Sequence, residues 1–138
     1  MSQMSTTRPR VLVIDDDPDI HSVIELILGD AEYEFTCCQT GEAGLEALRR
    51  QPPDLVLLDI MLTQPTEGLQ IACQMRQDER WKNIPIIFIS AVGQTQGAAY
   101  AREVCPIPLD TITFLEKPLN AATLRAAVRR ALQRDGGR

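Results

Sequence analysis

VLVIDDDPDI, residues 11–20, runs four apolar residues directly into three aspartates and a proline. A continuous apolar run of this length, bounded by turn residues, reads as a strand buried on both faces, as in a parallel sheet covered by helices. Asp17 followed by Pro18 fits a helix N-cap with a first-turn proline, so a helix should start where the strand stops. Adjacent carboxylates at the end of a buried strand repel one another and raise each other's pKa. The stretch therefore makes a chemical demand as well as a structural one: positive charge has to be supplied there.

The same alternation recurs along the chain. Strands are expected at 11–14 (VLVI), around Phe35–Cys38, and at 55–58 (LVLL), 84–89 (IPIIFI) and 112–115 (ITFL). Between them lie helical patterns. Ile20, Val23, Ile24, Ile27 and Leu28 form a stripe that Gly29 would end. Thr40 can cap a helix carrying Leu45 and Leu48, stopped by Pro52 and Pro53. Gly68, Ile71, Ala72 and Met75 give a third stripe, and a weakly patterned fourth helix is expected around Ala98 to Val104. Asn120 can cap a fifth, with Leu124, Ala127, Val128 and Ala131 inward and Arg125, Arg129, Arg130 and Arg134 outward as a solvated face. Strands alternating with helices through short links imply an α/β fold with a doubly wound, five-stranded parallel sheet. One domain over residues 9–134 is expected, between an N-terminal tail (1–8) and a C-terminal tail (135–138).

In such a sheet the ligand crevice lies beyond the carboxyl ends of the strands. Asp15 and Asp16 end the first strand, Asp59 the third and Ser90 the fourth, while Lys117 follows the fifth. One such residue could be a helix cap; five at the same edge point to a site.

Bulk properties narrow the function. The chain has 138 residues, 44 % hydrophobic and 24 % charged, with a net charge of −5 and no basic tract, which argues against direct nucleic-acid binding. No apolar run approaches the ~20 residues needed to span a bilayer, and the N-terminus lacks the apolar core of a signal peptide, so no membrane insertion and a cytoplasmic location are expected. Cys37, Cys38, Cys73 and Cys105 lack metal-binding spacing and read as reduced thiols. Adjacent Cys37 and Cys38 should point to opposite faces of a strand.

VLVIDDDPD, LVLLDIML, FISA and FLEKPL, in this order and rough spacing, make the chain resemble a response-regulator receiver domain of two-component signalling, over about residues 9–134. The resemblance implies the flavodoxin-like (βα)5 fold with strand order 2-1-3-4-5. It implies Mg²⁺ as cofactor, with Asp16 and Asp59 as direct ligands, Asp15 acting mainly through water, and the backbone carbonyl of Met61 completing the protein's share. Asp59 would be the phosphoacceptor, Lys117 and Ser90 would contact the phosphoryl group, and a cis Lys117–Pro118 bond would aim the lysine inward. Ser90 and Phe114 would form the switch, read out on the fourth helix, fifth strand and fifth helix. The donor would be a sensor histidine kinase or a histidine phosphotransfer protein, with an unknown downstream protein as recipient of the signal. Asp17 is left to capping, and His21 is not a plausible donor.

Two stretches depart from the family pattern. Thr63 and Glu67 stand where the family usually has proline and glycine, with Pro65 and Gly68 later, so the loop after Asp59 reads as one residue longer. VCPIPLDTITF (104–114) replaces a short glycine-containing link. Because little follows the fifth helix, the chain reads as a stand-alone receiver that is not an enzyme beyond its own phosphorylation and dephosphorylation. The alternatives are an unphosphorylated receiver-fold adaptor and a phosphatase of the haloacid dehalogenase type. The second needs D-x-D-x-T, and Asp19 stands where threonine should be. A flavin-phosphate binder of the same fold would need donors where this chain has carboxylates.

Overall fold

The computed structural model describes residues 8–60, 67–91 and 112–136. Its elements are β1 (Arg10–Ile14), α1 (Pro18–Leu28), β2 (Glu34–Cys38), α2 (Gly41–Arg50), β3 (Leu55–Asp59), α3 (Glu67–Gln77), β4 (Ile86–Ser90), β5 (Ile112–Glu116) and α4 (Ala121–Gly136). All strands are parallel in one sheet of order β2-β1-β3-β4-β5. The expected helix around Ala98–Val104 falls outside the described residues, and α4 is the last helix of the sequence pattern.

The central strands are the ones that read as continuous apolar runs. Every residue of β3 and β4 is buried, as is β1 from Val11 onward. β2, at the sheet edge, is mostly exposed, which is why its sequence carries no clean pattern. β4 starts at Ile86 rather than residue 84, and the Pro85 carbonyl accepts from Val56 N–H without a proline donor to return. The two sheet faces hold separate cores. One packs Leu12, Ile14, Leu58 and Phe88 with Leu48, Leu69 and Met75; the other packs Val11, Val13, Leu57 and Ile87 with Ile24, Leu124 and Val128. Phe88 is fully buried, so its truncation to alanine should cost about 3–5 kcal/mol.

The helix boundaries follow the local chemistry. Asp17 caps α1 by accepting from Asp19 N–H (2.9 Å), with Pro18 in the first turn, and Gly29 ends it at φ 88°. Thr40 caps α2 through Ala43 N–H (3.0 Å), and Asn120 caps α4 through Thr123 N–H (2.9 Å). On α1 the inner face is His21, Ile24 and Leu28; Val23, expected inward, is 39 % exposed. The helix is thus rotated so that an imidazole, rather than a valine, meets the core. Arg125, Arg129 and Arg130 lie on the exposed face of α4, while the Arg134 side chain lies outside the described residues.

The cysteines need one correction. Cys37 and Cys38 are free, and Cys37 is the more exposed of the two. Cys73, however, is disulfide-bonded. Pairing depends on which elements meet in space, and spacing along the chain carries no information about that. Cys105 lies outside the described residues.

Candidate functional site

Parallel strands bring their carboxyl ends to one edge, and there the structure gathers residues from four segments. Asp15 and Asp16 follow β1, Asp59 closes β3, Ser90 closes β4, and Lys117 follows β5. Carboxylate oxygens of Asp15, Asp16 and Asp59 all lie within 4.8 Å of one another; Asp15 and Asp59 are buried, and Asp16 is exposed. Met61 lies outside the described residues.

Backbone contacts hold this edge together. Asp15 N–H donates to the Cys38 carbonyl (3.0 Å), tying the end of β1 to β2. Asp15 Oδ1 accepts from Asp17 N–H (2.9 Å), which orients the first carboxylate and leads the chain into the α1 cap. Lys117 N–H donates to the Ser90 carbonyl (2.8 Å). The Lys117–Pro118 peptide is cis.

The lysine enters the carboxylate cluster. Its Nζ stands 3.1 Å from Asp15 Oδ2 and 3.3 Å from Asp59 Oδ2, with the lysine side chain 22 % exposed. Burial by itself lowers a lysine pKa, but here the two carboxylates outweigh it and the Lys117 pKa is raised above its ordinary value. One ammonium therefore faces two buried carboxylates, with a third at the rim. Asp15 Oδ2 is buried and makes no aligned hydrogen bond; its close neighbour is the ammonium charge. A buried anionic oxygen without a hydrogen bond, inside an all-oxygen donor set, suits a hard divalent cation that keeps several waters. The residues present fit such an ion.

Ser90 is 2 % exposed. It and Phe88 face a cavity of about 280 Å³ that is also lined by Phe114, Ile60, Asn120 and Thr123. Phe114 pairs with Phe88 across β4–β5, and their rings stack with centroids 5.3 Å apart and planes at 25°. Phe114 itself is only partly buried. His21, although buried, sits on the inner face of α1 and is not among the grouped ligand atoms.

Sequence reading missed one residue. Gly68 appeared as part of an apolar stripe and as a displaced family glycine, but the structure seats it against the backbone of Asp59. The available signal was the place of Gly68 at the start of the third apolar stripe.

Many known proteins resemble this chain. A family model described as the response regulator receiver domain matches residues 11–129. The DNA-binding dual master transcriptional regulator RpaA of Synechocystis sp. is 32 % identical over 126 residues, covering 91 % of this chain and 50 % of its own length. The DNA-binding response regulator MtrA of Mycolicibacterium smegmatis is 30 % identical over 132 residues, covering 96 % and 54 %. The chain thus spans about half the length of these curated relatives. Among solved structures, a response regulator of Chloroflexus aurantiacus matches with a TM-score of 0.78 at 25 % identity, over 91 % of this chain and 98 % of that one. A CheY-like receiver domain protein of Methanospirillum hungatei matches with a TM-score of 0.78 at 20 % identity, over 95 % and 98 %, a likeness of fold.

Proposed function

The chain belongs to the response-regulator receiver family, and from that premise we propose that Asp59 accepts a phosphoryl group from a histidine of a partner protein. One observation supports this above all: Lys117 Nζ lies 3.1 Å and 3.3 Å from Asp15 and Asp59 inside a cluster of three carboxylates. Asp15, Asp16 and Asp59 would hold Mg²⁺, joined by the Met61 backbone carbonyl. The bound cation supplies positive charge against the phosphoryl oxygens.

This chain's own residues do the rest. An Asp59 carboxylate oxygen attacks phosphorus, and the O–P bond forms as the bond to the donor imidazole nitrogen breaks. The electron pair leaves on that nitrogen, and an acyl phosphate remains. Positioning and charge neutralisation carry most of the catalysis in such a transfer. Lys117 exchanges its Asp59 contact for a phosphoryl oxygen, as a compact cation on a flexible stem can. The Ser90 hydroxyl donates to a second phosphoryl oxygen. Its movement makes room for Phe114, and the cavity between the two gives the ring a place to turn. Phe114 carries no hydroxyl, so burial alone favours the inward ring, by on the order of 1.5–3 kcal/mol when complete. Phosphorylation thus biases two arrangements of the same core.

The donor is a sensor histidine kinase or a histidine phosphotransfer protein, in the cytoplasm as the resemblance implies. The recipient is a downstream protein that reads the face around β5 and α4. No external substrate is turned over.

Beryllofluoride, which occupies the place of the phosphoryl group, tests the reading by calorimetric titration. Binding is expected with Mg²⁺ present, and neither without Mg²⁺ nor in Asp59→Asn. Silence in the wild type would leave an unphosphorylated adaptor built on the receiver fold.

A further inference from the structure

We infer that Gly68 is the positioning residue of Asp59: the first turn of α3 rests directly on the end of the acceptor strand, and only a residue without a side chain allows it. The inference rests on Asp59 being the phosphoacceptor, and it concerns what holds that carboxylate in place.

Gly68 is buried at the start of α3. A Cβ added there would lie 1.9 Å from the Asp59 carbonyl oxygen and 2.8 Å from both the Asp59 carbonyl carbon and Ile60 Cα. The glycine is not needed for a left-handed backbone, since Gly29 is the one described glycine with positive φ. Space is the reason. The contrast with two other buried glycines is informative. At Gly41 the nearest atoms are the ends of the Glu67 and Ile71 side chains, and at Gly44 they belong to the Ile14 side chain. At Gly68 the obstacle is backbone, and that backbone belongs to a strand locked in the sheet: Asp59 is in register with Ile89 of β4.

A second contact completes the seat. Gly68 N–H donates to the Ile60 carbonyl at 2.9 Å, so the two ends of the segment between Ile60 and Gly68 are joined whatever its length. An added methyl group must either lift α3 or turn the Asp59 peptide, and the carboxylate moves with that peptide. Placement errors of about 1 Å can cost a reaction about a hundredfold.

The test compares Gly68→Ala with Val128→Ala, a fully buried residue of α4 on the opposite face of the sheet. Acetyl phosphate serves as donor at saturating Mg²⁺, well below either variant's unfolding temperature, and the rate of phosphoryl gain is followed by intact mass. Gly68→Ala is expected to react about tenfold or more slowly even at saturating donor, while Val128→Ala keeps the wild-type rate despite its lost stability. Equal slowing of both, or an unimpaired Gly68→Ala beside a labelled wild type, overturns the positioning role alone. A wild type that takes no label and binds no beryllofluoride overturns the phosphoacceptor reading and this inference with it.

Should Gly68→Ala fail to fold, amide exchange in the wild type decides. Coupling between two sites is reciprocal, so Mg²⁺ with beryllofluoride should slow exchange of the Gly68 amide. The Gln51 amide, bonded to Ala47 at the far end of α2, should be unaffected. The same change at both amides overturns the inference.

Discussion

Replacing Lys117 by methionine keeps most of the stem and removes the ammonium that faces Asp15 and Asp59. At an effective dielectric of about 20, contacts at 3.1 Å and 3.3 Å are each worth about 5 kcal/mol of gross attraction. Most of that is offset by the cost of taking the charges out of water. Removing one partner of a buried pair typically costs about 3–5 kcal/mol, because the remaining charge stays buried. The Lys117 side chain is 22 % exposed, so water screens part of the interaction, and we expect about 2–3 kcal/mol. In thermal unfolding of a chain this size, that is about 7–10 °C. The assay is urea unfolding of both proteins in metal-free buffer and again at saturating Mg²⁺. A cation among the three carboxylates supplies the missing charge, so the deficit should shrink with Mg²⁺. The pH dependence carries a sign. The Lys117 pKa is raised in the folded state, so its contribution is complete below the unfolded value of about 10.4 and is lost as pH rises through the folded value. The gap between the two proteins should be flat from neutral pH to about 10 and close above it. A methionine variant as stable as wild type without metal, or a deficit that Mg²⁺ leaves unchanged, would refute the charge argument.

Two further outcomes are expected. Asp16→Asn removes the exposed member of a carboxylate group whose oxygens lie within 4.8 Å; it should gain up to about 1 kcal/mol of stability in metal-free buffer while binding Mg²⁺ more weakly, both measurable by urea unfolding and calorimetry. Loss of stability in metal-free buffer would contradict it. The Cys37 thiol is pushed up to about 12 by burial, by its hydrogen bond to Glu25 Oε2 (3.3 Å) and by that carboxylate's charge. Although exposed, it should therefore alkylate slowly near pH 8, and Glu25→Gln in a Cys38→Ser background should lower the pH midpoint of alkylation; an unmoved midpoint would show that Glu25 does not hold the proton.

Much of this molecule can be read from its sequence because local signals and tertiary demands coincide. VLVI and LVLL are continuous apolar runs because β1 and β3 have neighbours on both edges and helices on both faces. Asp17, Thr40 and Asn120 announce helix starts by the same oxygen that makes the cap. The acidic and basic site residues are legible because they close or follow apolar strands, and a parallel sheet brings such ends to one edge. Other features are hidden for reasons that are equally physical. β2 is an exposed edge strand, so nothing forces its residues into a pattern. His21 and Val23 are two residues apart, about 200° around the helix, so which of them meets the core depends on how α1 rolls against it. The disulfide at Cys73 and the seat of Gly68 on Asp59 are set by which atoms meet in space, where composition and periodicity are silent. Met61 and the expected fourth helix lie outside the described residues.

Asp59 is proposed to carry a phosphoryl group with the help of a divalent cation. Intact-protein mass after incubation with acetyl phosphate measures it directly, in wild type with and without Mg²⁺ and in Asp59→Asn. A gain of one phosphoryl mass that needs both Mg²⁺ and Asp59 is expected. A gain that persists in Asp59→Asn, or no gain in a wild type that also fails to bind beryllofluoride, would contradict it.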